Sequence, residues 1–241
     1  MEMKKIFLVL ADISGYTEFI KLHKISLLHA EEIISELLES VIKESSTPLV
    51  LHELEGDAVV FYAESDGSQA MAQDIYRQAQ QFFEGFRKKE GELISDCRVC
   101  SCEACAKVGQ LKLKIIMHHG RAVFNKIRHF TKISGEDVIL AHRLLKNSIP
   151  HKEYLLITDG FYQILGEVKG MIPEQRCENC EGLGPINVMV HYPEKKRMDI
   201  VPPKRTFWSK AKMVWRLDLH MIKRIFIPPK KFHHLQMSTK H

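Results

Sequence analysis

The chain has no apolar run approaching the roughly 20 residues needed to cross a bilayer, so no segment reads as a membrane-spanning helix. It has neither an internal repeat nor a low-complexity segment. A secretion signal is mimicked but not made. Met1-Glu2-Met3-Lys4-Lys5 is basic and Ile6–Ala11 apolar, yet that run is short, ends on Asp12 and carries no small-residue cleavage site, so it reads as a first strand. The expectation is a cytoplasmic protein with reduced thiols, in which the six cysteines serve as metal ligands before disulfides. Acidic residues are nearly missing from one region. Residues 204–241 hold ten Lys/Arg against the single acid Asp218, whereas residues 1–203 hold 25 against 29. The overall +5 thus hides a mildly acidic body and a strongly basic tail.

What is present suits a soluble globular chain of one or two domains: 241 residues, 45% hydrophobic and 27% charged. The apolar spacing predicts a helix, bent or divided, from Thr17 to about Lys43, and another from Gln69 to about Lys89. Between them, Leu49–Ala63 reads as two β-rich runs hinged at a Gly-containing turn, a hairpin. Leu111–Met117 alternates as a half-buried strand does, and Arg121–Ile127 is expected to pair with it across a turn at Gly120. Ser134 is an N-cap candidate for a helix through Lys146, with Glu136 and Asp137 in its first turn. Tyr154–Thr158 reads as a strand, Asp159 to about Leu165 as a short helix, and Ile186–Tyr192 as the last strand. This order fits an α/β (α+β) class: a ferredoxin-like split βαβ sheet with helices packed on it. The expected domains are 1–195, with a Cys-rich insertion at 95–107, a linker at 196–203 and a basic helical C-terminal tail at 204–241.

The most informative stretch is Ala11-Asp12-Ile13-Ser14-Gly15-Tyr16-Thr17, taken with Glu55-Gly56-Asp57. Asp12 lies where a buried strand delivers the chain to a helix start. A carboxylate there can hold a hard divalent cation, and nearby N–H groups face whatever anion the cation brings. If the 49–63 hairpin neighbours the first strand, Asp12 and Asp57 converge on one cation.

These stretches resemble the class III adenylate/guanylate cyclase catalytic domain. Two more fit in order: Ile116-Met117-His118-His119-Gly120, and Gly135-Glu136-Asp137-Val138-Ile139-Leu140-Ala141-His142-Arg143-Leu144. The resemblance spans roughly residues 4–193. It implies that Asp12 and Asp57, with the Ile13 carbonyl, hold Mg²⁺ or Mn²⁺, and that the backbone of Ser14, Gly15, Tyr16 and Thr17 cradles phosphates. It also implies that Glu53 and Lys132 occupy the purine-reading positions and that Arg143 stabilises charge on the transferring phosphate. In the family each site is shared across a dimer, so a homodimer is implied. Three positions depart from the pattern. Lys132 stands where the family has an Asp- or Cys-like residue. Ile139 replaces the ribose-orienting Asn, and Glu181, beside Gly182, falls where a phosphate-binding Lys is expected. Losing one preorganised donor typically costs about 10²–10³ in rate. The resulting expectation is a divergent domain that binds a purine nucleoside triphosphate with metal while turnover is compromised. An active guanylate or adenylate cyclase is one alternative; a zinc-stabilised, non-catalytic signalling module on a membrane is the other.

All six cysteines fall in Cys-x-x-Cys pairs: Cys97, Cys100, Cys102 and Cys105, then Cys177 and Cys180. That spacing lets two thiolates of one turn reach one Zn²⁺. One early pair joined by Cys177 and Cys180 is the favoured arrangement, with redox-active or free thiols, and then disulfides or an iron–sulfur cluster, as the alternatives. In the tail, Trp208, Ala211, Trp215, Leu219, Ile222 and Phe226 share a helical face among Lys and Arg. Residues 204–227 therefore fit an anionic membrane surface, which would make the protein membrane-peripheral, or equally a docking helix on the acidic body or on a partner subunit. Nucleic acid is disfavoured, because no further motif accompanies the charge.

Overall fold

The computed structural model describes residues 1–21, 24–97, 103–128 and 130–194. Cys100, Cys102, the 196–203 linker and the 204–241 tail lie outside the described residues, as does the proposed membrane-facing segment 204–227. Among the described residues no helix is long and apolar enough to cross a membrane.

The elements in order are β1 (Glu2–Ser14), α1 (Tyr16–Ile20), α2 (Lys24–Lys43), β2 (Val50–Glu55), β3 (Ala58–Glu64), α3 (Gln69–Cys97), α4 (Glu103–Lys107), β4 (Lys112–Ile127), β5 (Phe130–Ser134), α5 (Glu136–Leu144), β6 (Tyr154–Thr158), α6 (Asp159–Leu165), β7 (Glu174–Cys180) and β8 (Gly184–His191). The sheet runs β2-β3-β1-β4-β6-β8-β7, with β5 added on β4. Every pairing is antiparallel except β4 with β6. The mixed α/β architecture expected from the sequence is the one observed.

Strand β1 explains the layering. Its apolar run is buried on both sides because successive side chains point to opposite faces. Phe7, Val9, Ala11 and Ile13 enter a core shared with α2, α3 and α6. Ile6, Leu8 and Leu10 enter a second core, closed by Ala141 and Leu144 of α5. In α3, Ile75, Ala79, Phe82, Phe83 and Phe86 form the buried stripe that helical periodicity requires.

Three local expectations are corrected. Gly120 is no turn: β4 runs straight through it and pairs with β1 from Glu2↔Phe124 to Ser14↔Lys112. The glycine is there because α5 crosses closely. A Cβ at 120 would sit 2.3 Å from Asp137 Cγ, the close approach that strand glycines often mark. The helix after it starts at Glu136 behind Gly135, and Ser134 belongs to β5, which the sequence reading did not separate. Finally, Cys177 and Cys180 lie on a strand, β7, where a metal-binding turn was expected.

Candidate functional site

The end of β1 and the β2–β3 turn come together because Ile13 N–H donates to the Asp57 carbonyl at 3.1 Å. Gly56, at φ +60°, supplies the left-handed turn residue that presents Asp57 toward β1. Asp12 and Asp57 then line one open cleft of about 890 Å³, together with Ser14–Thr17, Lys114, Arg143 and Lys152. Burial pushes the Asp57 carboxyl up to about 6, and the neighbouring Asp12 charge adds to the rise. The two carboxylates therefore share one cleft and feel each other's charge.

Lys114 was not singled out by the sequence reading. It faces Asp12 across the β1–β4 ladder. Its Nζ lies 2.9 Å from Asp12 Oδ2 and donates to the Leu145 carbonyl, also at 2.9 Å. Both side chains are largely shielded, 17% and 13% exposed. The signal was available: Lys112 and Lys114 alternate in the stretch Leu111–Met117, whose other residues are apolar, so at least one had to find a partner at the sheet.

The remaining candidates divide. Arg143 lines the cleft and is exposed, its guanidinium against the β7–β8 turn, where a Cβ on Gly182 would stand 3.1 Å from Nη1. Ile139, 51% exposed, sits at the cleft where a hydrogen-bonding side chain was looked for. Glu53 and Lys132 are exposed on β2 and β5, and neither lines the cleft of its own chain. His118 belongs to the packing: its Nε2 is 3.2 Å from Asp137 and its Nδ1 2.9 Å from Thr158 Oγ1. Burial holds it below the usual histidine range, with the Asp137 hydrogen bond opposing. A neutral ring donating from Nε2–H and accepting at Nδ1 satisfies all three groups.

The structure does not assemble the favoured zinc arrangement around Cys105. That thiol is buried in the core under α2 and α3, 3.8 Å from His29 Nδ1, whereas Cys180 is buried in the core on the opposite face of the sheet. Cys177 is exposed and lies three residues from Cys180 on one strand, so the two thiols point to opposite faces. The Cys-x-x-Cys spacing serves one ion only in a turn. Among the described residues no three His, Cys, Asp or Glu side chains converge as a metal site. Accordingly, an alkylating reagent applied to the native protein should modify Cys177 at least about tenfold faster than Cys180 by peptide mass mapping. Equal protection of the two would restore the shared-ion reading.

Comparison with known proteins places this geometry. Residues 34–154, 121 of 241, match the model of a family described as "Protein of unknown function (DUF2652)". A Mycobacterium tuberculosis protein, the uncharacterized Rv2561/Rv2562, is 32% identical over 188 residues, 76% of this chain and 85% of that one. The chain belongs to the DUF2652 family. The family match takes in Asp57, Lys114 and Arg143, and begins after Asp12. In fold, this DUF2652 chain is similar to the Pseudomonas aeruginosa adenylyl cyclase CyaB, at TM-score 0.58 and 14% identity over 81% of this chain and 97% of that one. It is also similar to the guanylate cyclase domain of RhGC from Catenaria anguillulae, solved with GTP, at TM-score 0.54 and 14% identity over 81% and 100%. The DUF2652 chain thus has the fold of class III nucleotide cyclase domains.

Two carboxylates and a backbone carbonyl are hard oxygen donors, the chemistry Mg²⁺ and Mn²⁺ take. A positive charge already stands at Asp12, in the form of the Lys114 ammonium. The residues present therefore fit a divalent cation. With only two side-chain ligands, such an ion would complete its shell from water or from a bound anion.

Proposed function

We propose that the Asp12–Asp57 cleft binds a purine nucleoside triphosphate together with Mg²⁺ or Mn²⁺, and that turnover to a cyclic nucleotide is weak or lost. The observation that carries this reading is that Asp12 and Asp57 line one cleft, where a backbone bond from Ile13 N–H to the Asp57 carbonyl ties the β2–β3 turn to the end of β1. Asp12, Asp57 and the Ile13 carbonyl would hold the ion, which when bound neutralises polyphosphate charge. Lys152 and Arg143 bring further positive charge to the same cleft, and the Ser14–Thr17 backbone borders it. Against efficient chemistry stands Ile139, which presents hydrocarbon where a ribose would need a hydrogen bond, a type of loss worth about 10²–10³ in rate.

The same reading includes a homodimer. Strand β2 is a sheet edge exposed on both faces, with Val50 49%, Leu51 42% and Leu54 55% accessible, the kind of surface that folded proteins normally cover. Glu53 lies on this edge, so its purine-reading role depends on a second chain.

The test is to incubate purified full-length protein with Mn²⁺ and either GTP or ATP, measuring nucleotide affinity and cyclic product in parallel. The expected result is micromolar-range, metal-dependent binding with product at least about 100-fold below what an intact donor set would give. Vigorous product formation would establish the active-cyclase alternative. No binding of either nucleotide with metal present would remove the proposal.

A further inference from the structure

The Lys114 contact goes beyond completing a charge pair. Its ammonium is 2.9 Å from Oδ2 of the Asp12 carboxylate, and it is tethered to the C-terminal end of α5 through the Leu145 carbonyl. Both Lys114 and Asp12 are mostly removed from water, so their attraction is screened far less than at an open surface. A divalent ion arriving at Asp12 and Asp57 meets a like charge already in place, and Lys114 competes with it for the Asp12 carboxylate. Leaving is costly for an ammonium so shielded from water unless it gains another anion. A bare ion offers none; a metal–polyphosphate complex does.

Resting on the metal reading proposed above, we infer that Lys114 is a resident cation that makes this site specific for a metal bound to a polyphosphate, and discriminates against the free metal. Exchange is the physical content. Lys114 passes from Asp12 to a phosphate oxygen while the metal takes Asp12, so both carboxylate and lysine end paired. Coupling of this kind is reciprocal: the anion strengthens metal binding by the factor by which the metal strengthens anion binding. The geometry favours exchange over simple ejection. The Leu145 carbonyl lies on the cleft wall with Arg143, on the same turn at the end of α5, so a lysine that keeps this tether stays within the cleft and does not swing into solvent.

The experiment compares wild type, Lys114→Met, Lys114→Gln and Asp57→Asn, each as the full chain. Free Mn²⁺ is titrated and followed by electron paramagnetic resonance, and preformed Mn²⁺–tripolyphosphate is titrated by calorimetry. In wild type the complex should bind more tightly than the ion alone. Both Lys114 variants should bind free Mn²⁺ on the order of tenfold more tightly than wild type and the complex more weakly, so that the coupling largely collapses. The glutamine variant covers the case in which methionine at this sheet position fails to fold. Unchanged or weaker Mn²⁺ binding in the Lys114 variants, with Asp57→Asn still abolishing it, would overturn the inference and leave the metal site intact. If neither wild type nor the Lys114 variants bind Mn²⁺ or its complex, the metal reading itself fails, and this inference falls with it.

Discussion

Asp57→Asn is expected to stabilise the metal-free protein at pH 7.5 while removing its response to Mn²⁺. Burial and the nearby Asp12 charge push the Asp57 carboxyl up to about 6, so its ionised form is less favourable in the fold than in the unfolded chain. The sign follows from proton binding. Between an unfolded value near 4 and the folded value, the native state holds more protons, so stability falls as pH rises through that window. The penalty is complete above pH 6 to 7 and fades as pH drops toward 4. Replacing the carboxylate with an amide of the same shape removes it, and the melting temperature in EDTA should rise by about 2–4 °C at pH 7.5 and by only about a third as much at pH 4.5. Metal-dependent ligand affinity should fall on the order of 100-fold, since one of two charged ligands is gone. A gain in stability bought with lost binding is the mark of a functional site. A variant that is destabilised at neutral pH and still binds Mn²⁺ would instead make Asp57 an ordinary turn residue.

The second large effect belongs to Gly120. An alanine there would put its Cβ 2.3 Å from Asp137 Cγ and 2.6 Å from Asp137 Cβ, so the aspartate cannot escape by moving only the tip of its side chain. Either α5 shifts or Asp137 abandons its bonds to Arg121 N–H at 2.6 Å and to His118. Overpacking of this kind costs about 1–3 kcal/mol, and leaving buried His118 without its acceptor adds about 1–3. Denaturant unfolding of Gly120→Ala should therefore show a loss of about 2–6 kcal/mol. Because α5 carries Arg143, nucleotide affinity should drop with it. A loss under about 0.5 kcal/mol would show that the helix accommodates the methyl group freely.

The sequence made some of this plain and hid the rest for physical reasons. An apolar run ending on Asp12 had to be a central strand, since a half-exposed one would alternate. Gly56-Asp57 between two β-rich runs had to be a hairpin tip. Those two inferences left one condition open, that the hairpin neighbour the first strand, and the β1–β3 pairing meets it. Gly120 misled because a glycine in a strand looks alike whether it serves a turn or a crossing helix, and the crossing residue, Asp137, is seventeen positions away. β7 was missed because Cys-x-x-Cys invites a metal turn, while Glu178 and Cys180 on its buried face alternate too briefly to register. Lys114 escaped because its meaning lies in its cross-strand partner, and register is fixed by the sheet as a whole. Whether Glu53 and Lys132 ever meet a ligand depends on surfaces beyond a single chain.

Strand β1 is hydrogen-bonded along both edges, to β3 and to β4, and covered by a core on each face. Its amides should therefore be among the last to exchange with deuterium, opening only when the whole domain unfolds. Asp12 belongs to that strand. Peripheral segments can breathe, rearrange or receive partners while the anchoring carboxylate keeps its place, so any signal that tunes this cleft has to act on its other walls: the β2–β3 tip, α5 and the Lys114 side chain.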